Sequence, residues 1–105
     1  MRRAAKKDAN HETIAAAFRK LGYSVLDLSR QGDDCPDMLC AKDGLSVLVE
    51  AKMPKGKLTS GQRVFVANWR GAVEVARSVD DVLAIHRRML LSPLKAFDSH
   101  TGKRL

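Results

Sequence analysis

The sequence predicts an α/β domain: a mixed sheet flanked by helices, with elements in the order α-β-β-β-α-β-α. Three observations carry this expectation. The chain has 105 residues, 45% of them hydrophobic and 30% charged, which suits one domain with one core and excludes a disordered or fibrous chain. Stretches with apolar residues at helical spacing alternate with short β-rich runs. Asp43-Gly44 separates two apolar runs, which is a strong hairpin signal.

Taken in order, Met1 to Lys7 form a basic arm, and the domain runs from residue 8 to residue 92. Asp8 or Asn10 is placed to cap a first helix. Ile14, Ala17, Phe18 and Leu21 share its apolar face, and Gly22 is a natural stop. The run Tyr23 to Leu28 reads as a strand, followed by a polar loop from Ser29 to Cys35. Pro36 opens the next strand, where its missing N–H does least harm. The runs 37–41 and 45–52 are then the two arms of the hairpin. A basic loop from Met53 to Lys57 leads to Thr59 and Gln62, a capping box opening a second helix. That helix carries Val64, Phe65, Asn68 and Trp69 and stops at Gly71. On this spacing Trp69 is expected in the core rather than as a stacking platform. The run 72–76 is a fourth strand, and Ser78 with Asp81 caps a last helix through Val82, Leu83, Ile85 and Met89. Ser92-Pro93 ends it, and residues 93–105 are a tail. Three successive strands form an antiparallel meander, whereas a strand that follows a helix is expected to run parallel to its neighbour.

Charge and cysteine content narrow the function classes. The formal net charge is +7, which favours a polyanionic partner, most commonly nucleic acid. No apolar run is long enough to cross a bilayer. The basic N-terminus lacks the apolar stretch of a secretory signal, so the expected compartment is the cytoplasm. Cys35 and Cys40 are too few for a cysteine zinc site and read as free thiols. His11-Glu12 lacks the second histidine of a zinc-protease helix, because Ala15 stands there. No glycine-rich phosphate loop is present, so no nucleotide cofactor is implied.

The hairpin carries the chemistry. If Asp43-Gly44 is a two-residue turn, Lys42 faces Leu45, Cys40 faces Val47 and Met38 faces Val49. The next pair outward is Asp37 with Glu50, whose Cβ atoms would lie roughly 4.5–5.5 Å apart. Lys52, two residues beyond Glu50, points to the same face. Opposed carboxylates repel, and a hard cation removes that repulsion. Mg²⁺ accepts one or two carboxylates together with water and phosphate oxygens, and a nearby lysine stabilises charge developing on phosphate. The competing structural reading makes Glu50 and Lys52 a strand-end ion pair and Asp37 a turn residue.

Pro36-Asp37, a hairpin and then Glu50-Ala51-Lys52 resemble the signature of the PD-(D/E)xK nucleases, and the αβββαβ order resembles their restriction-endonuclease-like core. Within that superfamily the chain is most similar to the VRR-NUC group, the virus-type replication and repair nucleases. The likeness extends from His11 to Arg88 and includes the Lys55–Val66 segment and the closing strand and helix from Gly71. The resemblance implies Asp37 and Glu50 as ligands of Mg²⁺ or Mn²⁺, with the Ala51 carbonyl as a third. It implies Lys52 as the group that orients the attacking water, Glu12 as an acidic residue joining the metal site through water, and Gln62 as a support for Lys52 or the phosphate. It also implies a homodimer acting on branched DNA such as Holliday junctions. The loop from Gly32 to Asp37 departs from the family pattern, because Asp33, Asp34 and Cys35 precede Pro36.

Lys55, Lys57, Arg63 and Arg70 follow the site and are candidate phosphate contacts. Glu12 also suits the helix dipole, Gln62 is accounted for by the capping box, and Asp33 and Asp34 suit a solvated loop. The expected activity is metal-dependent hydrolysis of DNA. The alternatives are a non-catalytic DNA-binding module on the same fold and a flap or single-strand nuclease. A sequence-specific restriction enzyme would need a recognition segment that a chain of this length does not spare.

Overall fold

The computed structural model describes residues 9–91. Its elements are α1 (His11–Lys20), β1 (Ser24–Asp27), β2 (Met38–Lys42), β3 (Leu45–Ala51), α2 (Ser60–Asn68), β4 (Val73–Ala76) and α3 (Val79–Leu91). The strands form one mixed sheet in the order β1-β2-β3-β4. The first three are antiparallel and β4 runs parallel to β3 after the α2 crossover. The expected α/β class and element order are therefore the observed ones. The basic arm at 1–7, Asp8, the Ser92-Pro93 stop and the tail at 93–105 lie outside the described residues.

The hairpin turn sets the register. Asp43 and Gly44 have φ of 55° and 79°, the two left-handed positions that a type I′ turn requires and that Asp-Gly accepts readily. Lys42 pairs with Leu45, Cys40 with Val47 and Met38 with Val49, as the two-residue turn dictates. The period of two then sorts the faces. Met38, Cys40, Val47, Val49 and Ala51 join Ile14, Ala15, Phe18, Val82 and Ile85 in one buried cluster. Leu48 and Glu50 alternate with that set, so they face the other side of the sheet, and both are buried there.

α1 buries His11, Ile14, Ala15 and Phe18 at helical spacing. It packs against β1 and α3, and α3 packs against β4. Ala17 and Leu21, expected on the core face, lie at its margin. At the start of α3, Asp81 N–H donates to Ser78 Oγ at 3.1 Å, the expected cap. The capping box of α2 is complete: Gln62 N–H donates to Thr59 Oγ1 at 3.2 Å and Thr59 N–H to Gln62 Oε1 at 2.9 Å.

Two expectations are corrected. Asn10 stands at the N-cap of α1, but its side chain makes no capping bond. α2 buries none of its residues, and Val64 and Trp69 remain 58% and 46% exposed. The apolar spacing in α2 is real, but the packing is shallow: Phe65 and Val66 are only half-buried. Trp69 is therefore not core. Among the described residues no helix is long and apolar enough to cross a membrane.

Candidate functional site at the open end of the hairpin

The β2–β3 ladder ends at Met38 and Val49, one step short of the expected Asp37–Glu50 pair. The reason lies in how Asp37 is held. Its carbonyl accepts from Leu28 N–H at 2.7 Å on the β1 side, and its carboxylate Oδ2 accepts from Ala51 N–H at 2.8 Å on the β3 side. The side chain thus takes the place of a main-chain acceptor and reaches one residue past Glu50. Ala51 is wholly buried, so without this bond its N–H would be an unpaired buried donor. Asp37 Oδ1 makes no hydrogen bond among the described residues.

Glu50 lies beside this bond. It pairs with Val75 of β4 across the parallel ladder, and its residue is only 5% exposed. Lys52 continues the pairing past the strand end, its N–H donating to Ala76 O at 3.0 Å. Its ammonium carries no hydrogen bond or ion pair among the described residues. The two carboxylates and the lysine thus come from the two strand ends that the hairpin register brings together.

Cys35 belongs to the same neighbourhood, which its sequence reading as a bare free thiol missed. Burial pushes its thiol pKa up, and the charges of Glu50 and then Asp37 push it further. The available signal was its spacing, because residues two apart on an extended segment share a face. The loop before it is strained: Asp33 and Asp34 have φ of 53° and 63°, a left-handed conformation that costs non-glycine residues energy and recurs at functional sites. The Asp34 carboxylate sits against Gly61 in the first turn of α2, where any Cβ would overlap it. Asp34 is thus a contact between loop and helix rather than plain loop solvation.

Two further residues, unassigned by the sequence reading, hold the site together. Asn10 Nδ2 donates to Lys52 O at 3.0 Å and to Arg77 O at 2.7 Å, tying the start of α1 to the ends of β3 and β4. Arg77 grips Gly56 O through Nε at 3.1 Å and Nη2 at 2.9 Å, which fixes the loop carrying Lys55 and Lys57. Arg77 N–H in turn donates to Asp81 Oδ2 at 2.7 Å. Next to Asn10, His11 is buried, and its Nδ1 has no partner among the described residues.

Other expected site residues are placed differently. Glu12 is exposed and pairs with Arg19 at 3.0 Å, so its carboxylate is turned along α1 rather than toward Asp37 and Glu50. The spacing of seven along one helix face makes that pairing possible. Gln62 Oε1 is occupied by the capping box. Lys55, Lys57, Arg63 and Arg70 are all exposed.

These residues can be tested against a divalent cation. Among the described residues no group of three His, Cys, Asp or Glu side chains is placed to hold a metal ion, which is not the pattern of a closed zinc site. Two neighbouring carboxylates, one with a free oxygen, do fit Mg²⁺ or Mn²⁺, which complete their shell with water and phosphate oxygens. The arrangement offers two anionic ligands, an ammonium with no partner among the described residues and a fringe of exposed cations. No family model matches the chain, and no curated protein matches it.

Proposed function

We propose that the chain is a metal-dependent DNA nuclease that hydrolyses phosphodiester bonds at Asp37, Glu50 and Lys52. The observation that carries this reading is the Asp37 carboxylate bonded to the N–H of Ala51, the residue that stands between buried Glu50 and Lys52 in the chain. Structural need accounts for one oxygen of Asp37 and leaves the other to hold Mg²⁺ or Mn²⁺ beside Glu50. The Ala51 carbonyl is the third ligand that the family resemblance implies. The ion, when bound, neutralises charge on the scissile phosphate and lowers the pKa of a coordinated water.

The chain's own residues supply the rest. An ammonium is a hydrogen-bond donor only. Lys52 therefore orients the attacking water and stabilises charge on the phosphate oxygens, and the proton of that water leaves to solvent. The new P–O bond forms as the bond to the leaving sugar oxygen breaks. Lys55 and Lys57, held by the Arg77 grip on Gly56, lie just past Lys52 in the chain and contact the flanking phosphates. Gln62 supports the phosphate through its amide N–H₂, since its oxygen is engaged at the helix cap.

The substrate class follows from size and charge. A chain of 105 residues with net charge +7 offers electrostatic grip but little surface for reading sequence. We take the target to be DNA structure, with a branched junction as the substrate, a homodimer presenting one site to each of two strands, and the cytoplasm as the compartment. The test is a panel of linear, flapped and four-way DNA incubated with Mn²⁺ or with EDTA, beside a measurement of mass in solution. The reading predicts cleavage in Mn²⁺, none in EDTA, preference for the four-way substrate and the mass of a dimer. Binding without cleavage of any substrate would select the non-catalytic DNA-binding module instead.

A further inference from the structure

The segment from Met53 to Val73 contains Lys55, Lys57, Arg63 and Arg70 and no carboxylate. Within it α2 buries no residue. At the C-terminal end of this helix half-buried Phe65 stacks on Trp69, with ring centroids 5.3 Å apart and planes 14° from parallel. Trp69 keeps 46% of its surface in solvent. The indole is also held at its edge: a Cβ at residue 71 would lie 2.8 Å from Trp69 Nε1, so only a glycine there lets the ring take this position. One face of the indole is backed by Phe65 and one edge by Gly71, and the remainder is presented to solvent among exposed cations.

We propose that the Phe65–Trp69 pair is a stacking platform for an unpaired base of the DNA strand cut at the neighbouring site, an assignment that rests on the nuclease reading. Aromatic faces set in a positive groove are the recurrent means of holding single-stranded nucleic acid, because every base has a π-face. Bases inside a duplex already stack on their neighbours, so the platform selects a flap, a frayed end or the unpaired centre of a branch. Gln62, Phe65 and Trp69 stand at i, i+3 and i+7, one stripe of the helix. Trp69 is thus roughly 10 Å along α2 from Gln62, about three steps at the ~3.4 Å spacing of bases along a strand. A strand following the stripe would leave the cleavage site and reach the platform about three nucleotides away.

Charge argues against a second copy of this chain as the occupant. A two-fold interface apposes the same patch from both copies, and here it would set Arg63 and Arg70 of each copy against the other's, while the Asp34 carboxylate lies at the opposite end of α2 from Trp69. A nucleic acid strand instead brings one phosphate per base to the same cations.

Trp69 is the only tryptophan in the chain, so its emission reports this position alone. The experiment titrates the full chain in EDTA, where no cleavage occurs, with a short oligothymidine or a blunt duplex of equal length. Binding is followed by anisotropy of labelled DNA and by Trp69 emission. The expected result is strong quenching by the single strand. Trp69→Ala is expected to weaken single-strand binding roughly tenfold while changing duplex binding less than twofold, with Trp69→Phe in between. Circular dichroism of both variants checks that the fold is kept. Three results would overturn the platform: binding without a change in emission and with Trp69→Ala as tight as wild type, no single-strand binding at all, or an emission change on concentrating the protein without DNA, which would make the surface a contact between copies. Metal-dependent cleavage is scored separately with wild type in Mn²⁺. Quenching without cleavage sinks the nuclease reading and keeps the platform, and cleavage without quenching does the reverse.

Discussion

Asp37 has two tasks that substitution can separate. Its Oδ2 accepts the N–H of wholly buried Ala51 at 2.8 Å, and its charge stands beside buried Glu50. Asp37→Ala removes both and leaves the Ala51 N–H without an acceptor, which costs about 1–3 kcal/mol. Relief of the repulsion from Glu50 offsets part of this. The deficit wins, and the expected loss is about 1–2 kcal/mol, or roughly 4–16 °C in Tm for a domain of this size. Asp37→Asn keeps an amide oxygen for the Ala51 N–H and removes the repulsion, so it should fold within about 1 kcal/mol of wild type. Both variants should lose metal-dependent cleavage. Urea denaturation followed by circular dichroism gives the stabilities, and cleavage in Mn²⁺ gives the activities. The reasoning is refuted if Asp37→Asn is as unstable as Asp37→Ala, or if either variant cleaves like wild type.

Other consequences follow from the same contacts. A Cβ at Gly61 overlaps the Asp34 carboxylate, the exposed end of a side chain that can turn aside, so in Gly61→Ala the displaced contact offsets part of the roughly 0.5–1 kcal/mol gained from alanine's helix preference. In an Asp34→Ala background the same change should stabilise by the full ~0.5–1 kcal/mol, a difference measurable in a double-mutant cycle. Asn10→Ala removes donors to Lys52 O and Arg77 O and should cost about 1–3 kcal/mol. Asn10→Asp, which turns an acceptor toward those carbonyls, should be worse, as thermal melts of the two variants would establish. Burial pushes the Cys40 thiol up to about 12 from its ordinary 9.0, so between those values the unfolded chain releases a proton that the folded chain retains. Stability should therefore be intact below pH 9 and fall above it by up to ~1.4 kcal/mol per pH unit. Alkaline denaturation of wild type and Cys40→Ala should diverge over that window, the variant losing this component of the slope.

The fold was legible where local chemistry and pattern agree. Asp43-Gly44 specifies its own turn, and a turn of known length fixes every pair from Lys42–Leu45 to Met38–Val49. The two capping motifs of α2 and α3 were readable for the same reason: each is a closed exchange between residues three apart. The site was legible as a set of strand ends and less so as geometry. The carboxylate of Asp37 displaced the expected ladder pair because a side-chain oxygen competes for a backbone donor, and pairing rules do not count side chains. Asn10 offered a capping side chain and used it instead on two carbonyls far along the chain. Glu12 found Arg19 one face-length away on its own helix. The shallow packing of α2 was invisible in principle: periodicity reports that a helix has an apolar face, not how deeply that face is buried.

The central claim is that Asp37, Glu50 and Lys52 form one hydrolytic site, and Lys52 is its most direct test. Its ammonium makes no hydrogen bond or ion pair among the described residues, so Lys52→Ala should leave the fold and DNA binding in EDTA close to wild type. Cleavage of four-way DNA in Mn²⁺ by wild type and by Lys52→Ala is the decisive comparison. The account predicts a fall of at least about a hundredfold at unchanged binding. Equal cleavage by the two proteins would contradict it.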